Sequence, residues 1–170
     1  MPYRFEPLDS ARHDRTGFCC TSAALTAYLQ KQARKDAERH LAATFIMIEE
    51  ADPSRIVGYY TLSNYTVELA ELPAEPARRL PRYPRLPATL LGRLARSKDF
   101  PGTGQLLLMD ALARAYAQAG GSGSLAIVAE AKDEWALGFY HKYGFQQLGA
   151  EGNRVFLPMK VIGRLIAPSG

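Results

Sequence analysis

Leu91-Gly92-Arg93-Leu94-Ala95-Arg96-Ser97-Lys98-Asp99-Phe100-Pro101-Gly102-Thr103-Gly104-Gln105-Leu106-Leu107-Leu108 reads as a strand, a glycine-bearing loop and the start of a helix. A junction of this kind binds phosphate. The first N–H groups of a helix have no internal partner, its dipole adds partial positive charge, and glycine lets the backbone come close to an anion. A diphosphate fits such a loop, although glycines before a helix also serve simple turns. Two nucleotide fingerprints fail here. The dinucleotide motif wants a glycine at position 107, where Leu107 stands, and a P-loop wants a Gly-Lys-Ser/Thr ending that is absent.

Downstream, good helix formers run over residues 104–119 and Gly120-Gly121-Ser122-Gly123 is expected to stop them. Residues 125–129 form a short apolar run, which predicts a strand buried on both faces in the middle of a sheet. A helix over 135–143 ends at Gly144, a natural C-terminal cap, and strands over 145–148 and 154–161 close the chain. Upstream, residues 3–8 predict a first strand. A helix then follows Thr21 or Ser22, either of which can serve as its N-cap. The β-branched and aromatic runs 44–48 and 56–67, joined by Asp52-Pro53-Ser54, predict an antiparallel hairpin. Prolines at 73, 76, 81, 84 and 87 restrict that stretch to a short helical turn and extended chain on the surface, before a strand over 88–95. This order of elements implies an α/β (α+β) fold, a mixed sheet with helices on both faces, in one domain spanning 1–170.

A chain of 170 residues is long enough to bury about two thirds of its unfolded surface without staples. Cys19 and Cys20 are sequence neighbours, too close for an unstrained bridge, and indicate a reducing compartment. No apolar run approaches the roughly 20 residues of a membrane span. Met1-Pro2-Tyr3-Arg4-Phe5 lacks the apolar centre of a signal peptide, so a cytoplasmic location with no membrane partner is expected. The net charge of +4 permits an anionic ligand without establishing one. His13, His40 and His141 are dispersed, with no carboxylate or thiol at ligand spacing, so no metal is expected.

The segment from Asp99 to Gly104 resembles the acetyl-CoA loop of GNAT-superfamily N-acetyltransferases, Arg/Gln-x-x-Gly-x-Gly/Ala, with both glycines in place and Asp99 departing at the first position. Either that carboxylate points away from the diphosphate or it weakens cofactor binding. The resemblance extends over nearly the whole chain. Phe18-Cys19-Cys20, Leu91 to Ala95, Leu108-Met109-Asp110-Ala111-Leu112, Phe139-Tyr140 with Tyr143-Gly144-Phe145, and Phe156-Leu157-Pro158-Met159 are similar to the branch of bacterial toxins that acetylate aminoacyl-tRNA. It implies a mostly antiparallel sheet of six to seven strands, splayed between the fourth and fifth, and acetyl-CoA as cosubstrate. The implied partners are aminoacyl-tRNA as substrate, a ribbon-helix-helix antitoxin and a second copy of the chain.

By the same resemblance Leu94, Ala95 and Arg96 pair with the pantetheine arm, and Phe100, Pro101, Gly102, Thr103, Gly104, Gln105 and Leu106 hold the diphosphate. Asp133 either touches the cofactor arm or caps the following helix. Tyr140 is the implied general acid for the departing thiolate, though without the family it reads as a core aromatic. An α-amine, whose reference pKa is about 7.7, needs no strong base, because roughly one molecule in six is neutral at pH 7. For RNA contact the candidates are Arg78, Arg79, Arg82 and Arg85 in the proline-bearing stretch, with Arg93, Arg96, Lys98 and the basic face of the first helix, each also readable as solvated charge. Arg93 could instead be an ion-pair partner. Acetylation of a small or protein amine, and a non-catalytic acyl-CoA or RNA-binding module suggested by Asp99, are the alternatives.

Overall fold

The computed structural model describes residues 2–167, so Met1 and residues 168–170 of the one-domain span lie outside the described residues. In chain order the elements are β1 (Tyr3–Pro7), α1 (Ala23–Lys31), α2 (Ala33–Glu38), β2 (Ala43–Glu49) and β3 (Asp52–Glu68). A 3-10 turn (Leu69–Glu71), α3 (Ala74–Arg78), β4 (Arg85–Arg96) and α4 (Gly104–Ser122) follow. Then come β5 (Ala126–Glu130), α5 (Glu134–Lys142), β6 (Gln146–Gln147), β7 (Arg154–Pro158) and α6 (Met159–Ile166). The strands form one open sheet in the order β1-β2-β3-β4-β5-β7-β6, mostly antiparallel and flanked by helices. Its parallel pair is β4 with β5. That register ends at Leu91↔Ala129, one residue before β5 itself ends, whereas β4 continues to Arg96.

The chain divides into two compact units. In the first, residues 2–63 with 92–111, Phe18, Leu29, Ile46, Ile48 and Tyr59 make the core beneath α1 and α2. The Phe18 and Tyr59 rings meet edge-on at 5.6 Å, a geometry that suits the aromatic quadrupoles. Ser22 caps α1, its hydroxyl accepting the Leu25 N–H at 3.2 Å, so of the two candidate caps the second is used. In the other unit, residues 64–91 with 112–167, Val67, Leu72, Leu86, Val128, Leu148 and Phe156 pack together. Ala126 to Ala129 are all buried, as a central strand demands.

Four sequence expectations need correction. Asp52-Pro53-Ser54 is not the hairpin turn but the start of β3, Asp52 pairing with Glu49, and the turn falls on Glu50 and Ala51. Pro53 is tolerated at an exposed strand end, where no ladder donor is lost. The proline-bearing stretch is more than a surface excursion, since Leu72 and Leu86 are buried in the core. Gly120 and Gly121 do not stop α4; Gly123 does, at φ +73, its N–H closing on the Ala119 carbonyl at 3.0 Å. Finally, residues 159–161 leave the last strand. Pro158 ends β7 and precedes α6, in which Met159 and Ile162 are buried one turn apart.

Candidate functional site

β4, the loop and α4 meet in the first unit. The Ser97 N–H bonds the Val57 carbonyl of β3 at 2.7 Å, and beyond Ser97 the chain turns. The Ser97 hydroxyl accepts the Asp99 N–H at 3.2 Å, the Ser97 carbonyl accepts the Phe100 N–H at 3.1 Å, and the buried Thr103 hydroxyl donates to the Phe100 carbonyl at 2.8 Å. These bonds fix the loop from inside. Gly102 adopts φ +82, and a Cβ there would meet nothing within 4 Å, so glycine is required by conformation and the space beside it is open. Helical bonding begins with the Leu107 N–H to the Thr103 carbonyl at 3.2 Å. The N–H groups of Gly104, Gln105 and Leu106 precede it and are the donors a helix start offers an anion. The residues present therefore fit a diphosphate. Ala95 is buried and Leu94 and Arg96 are half-buried on the β4 stretch that outruns β5, where backbone groups are available to an extended ligand.

Asp99 does not stand as a bare carboxylate. Arg55 of β3 donates Nη2–H to its Oδ2 at 2.8 Å, and the same guanidinium lies 4.9 Å from the Phe100 ring centroid. Sequence reasoning missed Arg55 because 44 residues separate the partners and no spacing rule links them.

α5 lies in the second unit. Asp133 is its N-cap, Oδ1 accepting the Ala136 N–H at 2.8 Å. Gly144 at φ +93 follows the C-cap Tyr143, as expected. Tyr140 is 7% exposed, its ring 5.1 Å from Phe145 and 5.5 Å from Phe139. Burial pushes its phenol up to about 12, because an ionised ring loses its hydration there. Trp135 is 73% exposed and stacks on Phe139 at 5.8 Å, and Phe139 meets Tyr143 at 5.3 Å. The spacing of 135, 139 and 143 along one helix face was the signal for this aromatic ridge.

The basic candidates divide into committed and free groups. Arg78 pairs with Glu75, and Arg85 reaches Glu68 at 3.4 Å. Arg93 lies over the Tyr28 ring, 3.5 Å from its centroid, while the Tyr28 hydroxyl donates to Asp36 at 2.7 Å. Arg93 thus braces α1 and α2 against β4 and is an aromatic rather than an ion-pair partner. Arg96 donates to the Ser97 carbonyl at 3.2 Å. Arg79, Arg82 and Lys98 are exposed and have no ion-pair partner among the described residues. Cys20 is buried and Cys19 exposed, both as free thiols. Among the described residues no group of three or more His, Cys, Asp or Glu could hold a metal ion, and no helix is long and apolar enough to cross a membrane.

No family model matches the chain. A probable toxin TacT of Sinorhizobium fredii is 29% identical over 170 residues, covering 95% of this chain and 93% of that one. A tRNA-acetylating toxin of Mycobacterium tuberculosis is 30% identical over 155 residues, 90% of each. Of solved structures, AtaT complexed with acetyl-methionyl-tRNAfMet superposes with a TM-score of 0.89 at 28% identity, covering 98% of this chain and 100% of that one. A mutant AtaT toxin bound to the C-terminus of the antitoxin AtaR and acetyl-CoA gives 0.80 at 25% identity, covering 98% and 99%.

Proposed function

This chain belongs to the family of GNAT-fold tRNA-acetylating toxins, and from that premise we propose that it is an N-acetyltransferase that acetylates the α-amino group of aminoacyl-tRNA and so blocks translation. The observation that carries the reading is the loop over residues 97–104, tied from within and presenting the unpaired first-turn amides of α4 next to a strand end that outruns its neighbour. Acetyl-CoA, when bound, supplies an activated thioester.

The amides of Gly104, Gln105 and Leu106 hold the diphosphate, and the backbone of Leu94, Ala95 and Arg96 takes the pantetheine arm as an added strand. A strand N–H at that end of β4 stabilises negative charge that develops on the acyl oxygen during attack. Tyr140 keeps its proton at every physiological pH and gives it to the sulfur as the thioester breaks. An α-amine is largely deprotonated just above neutrality, so one acid suffices. A lysine amine, with a reference pKa of about 10.4, would need a strong base.

The substrate places the protein in the cytoplasm, with a ribbon-helix-helix antitoxin and a second copy of the chain as partners. Asp99, which suggested a non-catalytic module, no longer argues for one, because Arg55 offsets its charge. The test is transfer of labelled acetyl from acetyl-CoA to a pool of charged tRNAs. Label on the aminoacyl end supports the proposal; a folded, CoA-binding preparation that labels no charged tRNA but does label a small or protein amine replaces it with the alternative.

A further inference from the structure

The loop departs from its motif at one position, and the structure supplies a counterpart there. Asp99 puts a negative charge at the mouth of an anion cradle, three residues before Gly102. On chemistry alone it should repel a diphosphate. Its Oδ2, however, is taken by Arg55 at 2.8 Å, and the Arg55 guanidinium also sits 4.9 Å from the centroid of the next ring, Phe100. Both ion-pair partners are well exposed, at 51% and 68% of the side chain, so the pair adds little to folding stability. A long side chain held at an exposed position by a carboxylate and a ring face calls for another explanation.

Arg55 stands at the base of β3, whose Val57 carbonyl binds the Ser97 N–H. The strand therefore carries the guanidinium to the side of the loop that begins at Ser97. Of its five N–H donors, one is used by Asp99 among the described residues. We infer that Arg55 is a positioning residue of the cofactor loop. It supplies from β3 the positive charge that the motif carries at position 99, cancels the Asp99 carboxylate, and holds Phe100 so that the amides beyond it stay open to the diphosphate. This rests on the cofactor site proposed above and adds to it a residue 44 positions away.

The experiment is calorimetric titration of the full chain with CoA at low ionic strength, which needs no turnover. Arg55→Ala should weaken CoA binding roughly three- to five-fold, the upper part of the range for one exposed charge. Adding Asp99→Asn to that variant should restore affinity to within about two-fold, because the charge that Arg55 offsets is then gone. The loss should shrink as salt rises toward about 0.5 M. It should be absent with S-acetyl pantetheine, which has no diphosphate. Melting temperatures of all variants should agree closely. Unchanged CoA affinity in Arg55→Ala overturns the inference. So does a double variant as weak as Arg55→Ala alone, or an equal loss with S-acetyl pantetheine. If the unaltered chain binds no CoA, the cofactor site itself falls and this inference with it.

Discussion

At the scale of single residues, the chemistry rests on a phenol whose burial shifts it away from ionisation. Tyr140 is 7% exposed with a pKa of about 12, against about 10 for free tyrosine. The rate should therefore follow the amine and not the acid. We expect kcat/KM to rise with pH through about 8, as the aminoacyl amine deprotonates, and then to stay level past pH 10. A decline setting in near 9.5 would mean a phenol of ordinary acidity, and would remove burial as the controlling feature. Tyr140→Phe should lower kcat by about 10² to 10⁴ with CoA affinity preserved, measured by single-turnover transfer beside titration calorimetry. The same shift has a stability consequence. The unfolded phenol ionises near 10 and the folded one near 12, so the contribution of Tyr140 is complete below about pH 10 and is lost as pH climbs from there to 12.

Among elements, β3, β4 and α4 are locked together at Gly58. A Cβ there would lie 2.6 Å from Leu107 Cδ1 and 2.9 Å from the Ala95 carbonyl oxygen, and the second of these is backbone that cannot swing aside. Gly58→Ala should cost about 1–3 kcal/mol by overpacking, seen as a melting temperature lowered by roughly 3–10 °C. It should also weaken CoA binding, since Ala95 belongs to the strand end proposed to carry the pantetheine. Asp133→Ala should cost about 1 kcal/mol through the lost cap, while Asp133→Asn, which can also cap, should hold the helix. Equal melting of both variants would leave the cap without energetic weight. Local signals were the legible ones. Ser22, Gly102, Gly144 and the apolar run of β5 each act over a few residues, so their spacing announces the element. Arg55 with Asp99 was illegible because the pair exists only after β3 is laid beside β4. α6 was hidden by Val161 and Ile162, whose β-branched side chains extend the look of a strand until Pro158 is seen to end it. Gly120 and Gly121 misled for the opposite reason: no Cβ there would meet a neighbour within 4 Å, and the helix runs through them at a cost in propensity alone.

For the whole molecule, the question is how a net charge of only +4 could hold a tRNA. Total charge is the wrong quantity. Salt-dependent RNA affinity counts cations that contact phosphate and release its counterions, and an arginine already satisfied by a carboxylate releases few. Arg78 with Glu75 and Arg85 with Glu68 are committed in this way, and Arg93 is engaged over Tyr28. Arg79, Arg82 and Lys98 are exposed without an ion-pair partner among the described residues, so each of them should contribute to the electrostatic part of binding. Fluorescence anisotropy of a labelled tRNA, titrated between about 50 and 200 mM salt, separates the two classes. Replacing Arg79, Arg82 or Lys98 by alanine should flatten the slope of log K against log salt by roughly 0.7–0.9 each, while Arg78→Ala and Arg85→Ala should leave the slope close to that of the unaltered chain. A uniform loss across all five substitutions would mean that the RNA feels only the summed field, and the ion pairs would then have no part in deciding which arginines it meets.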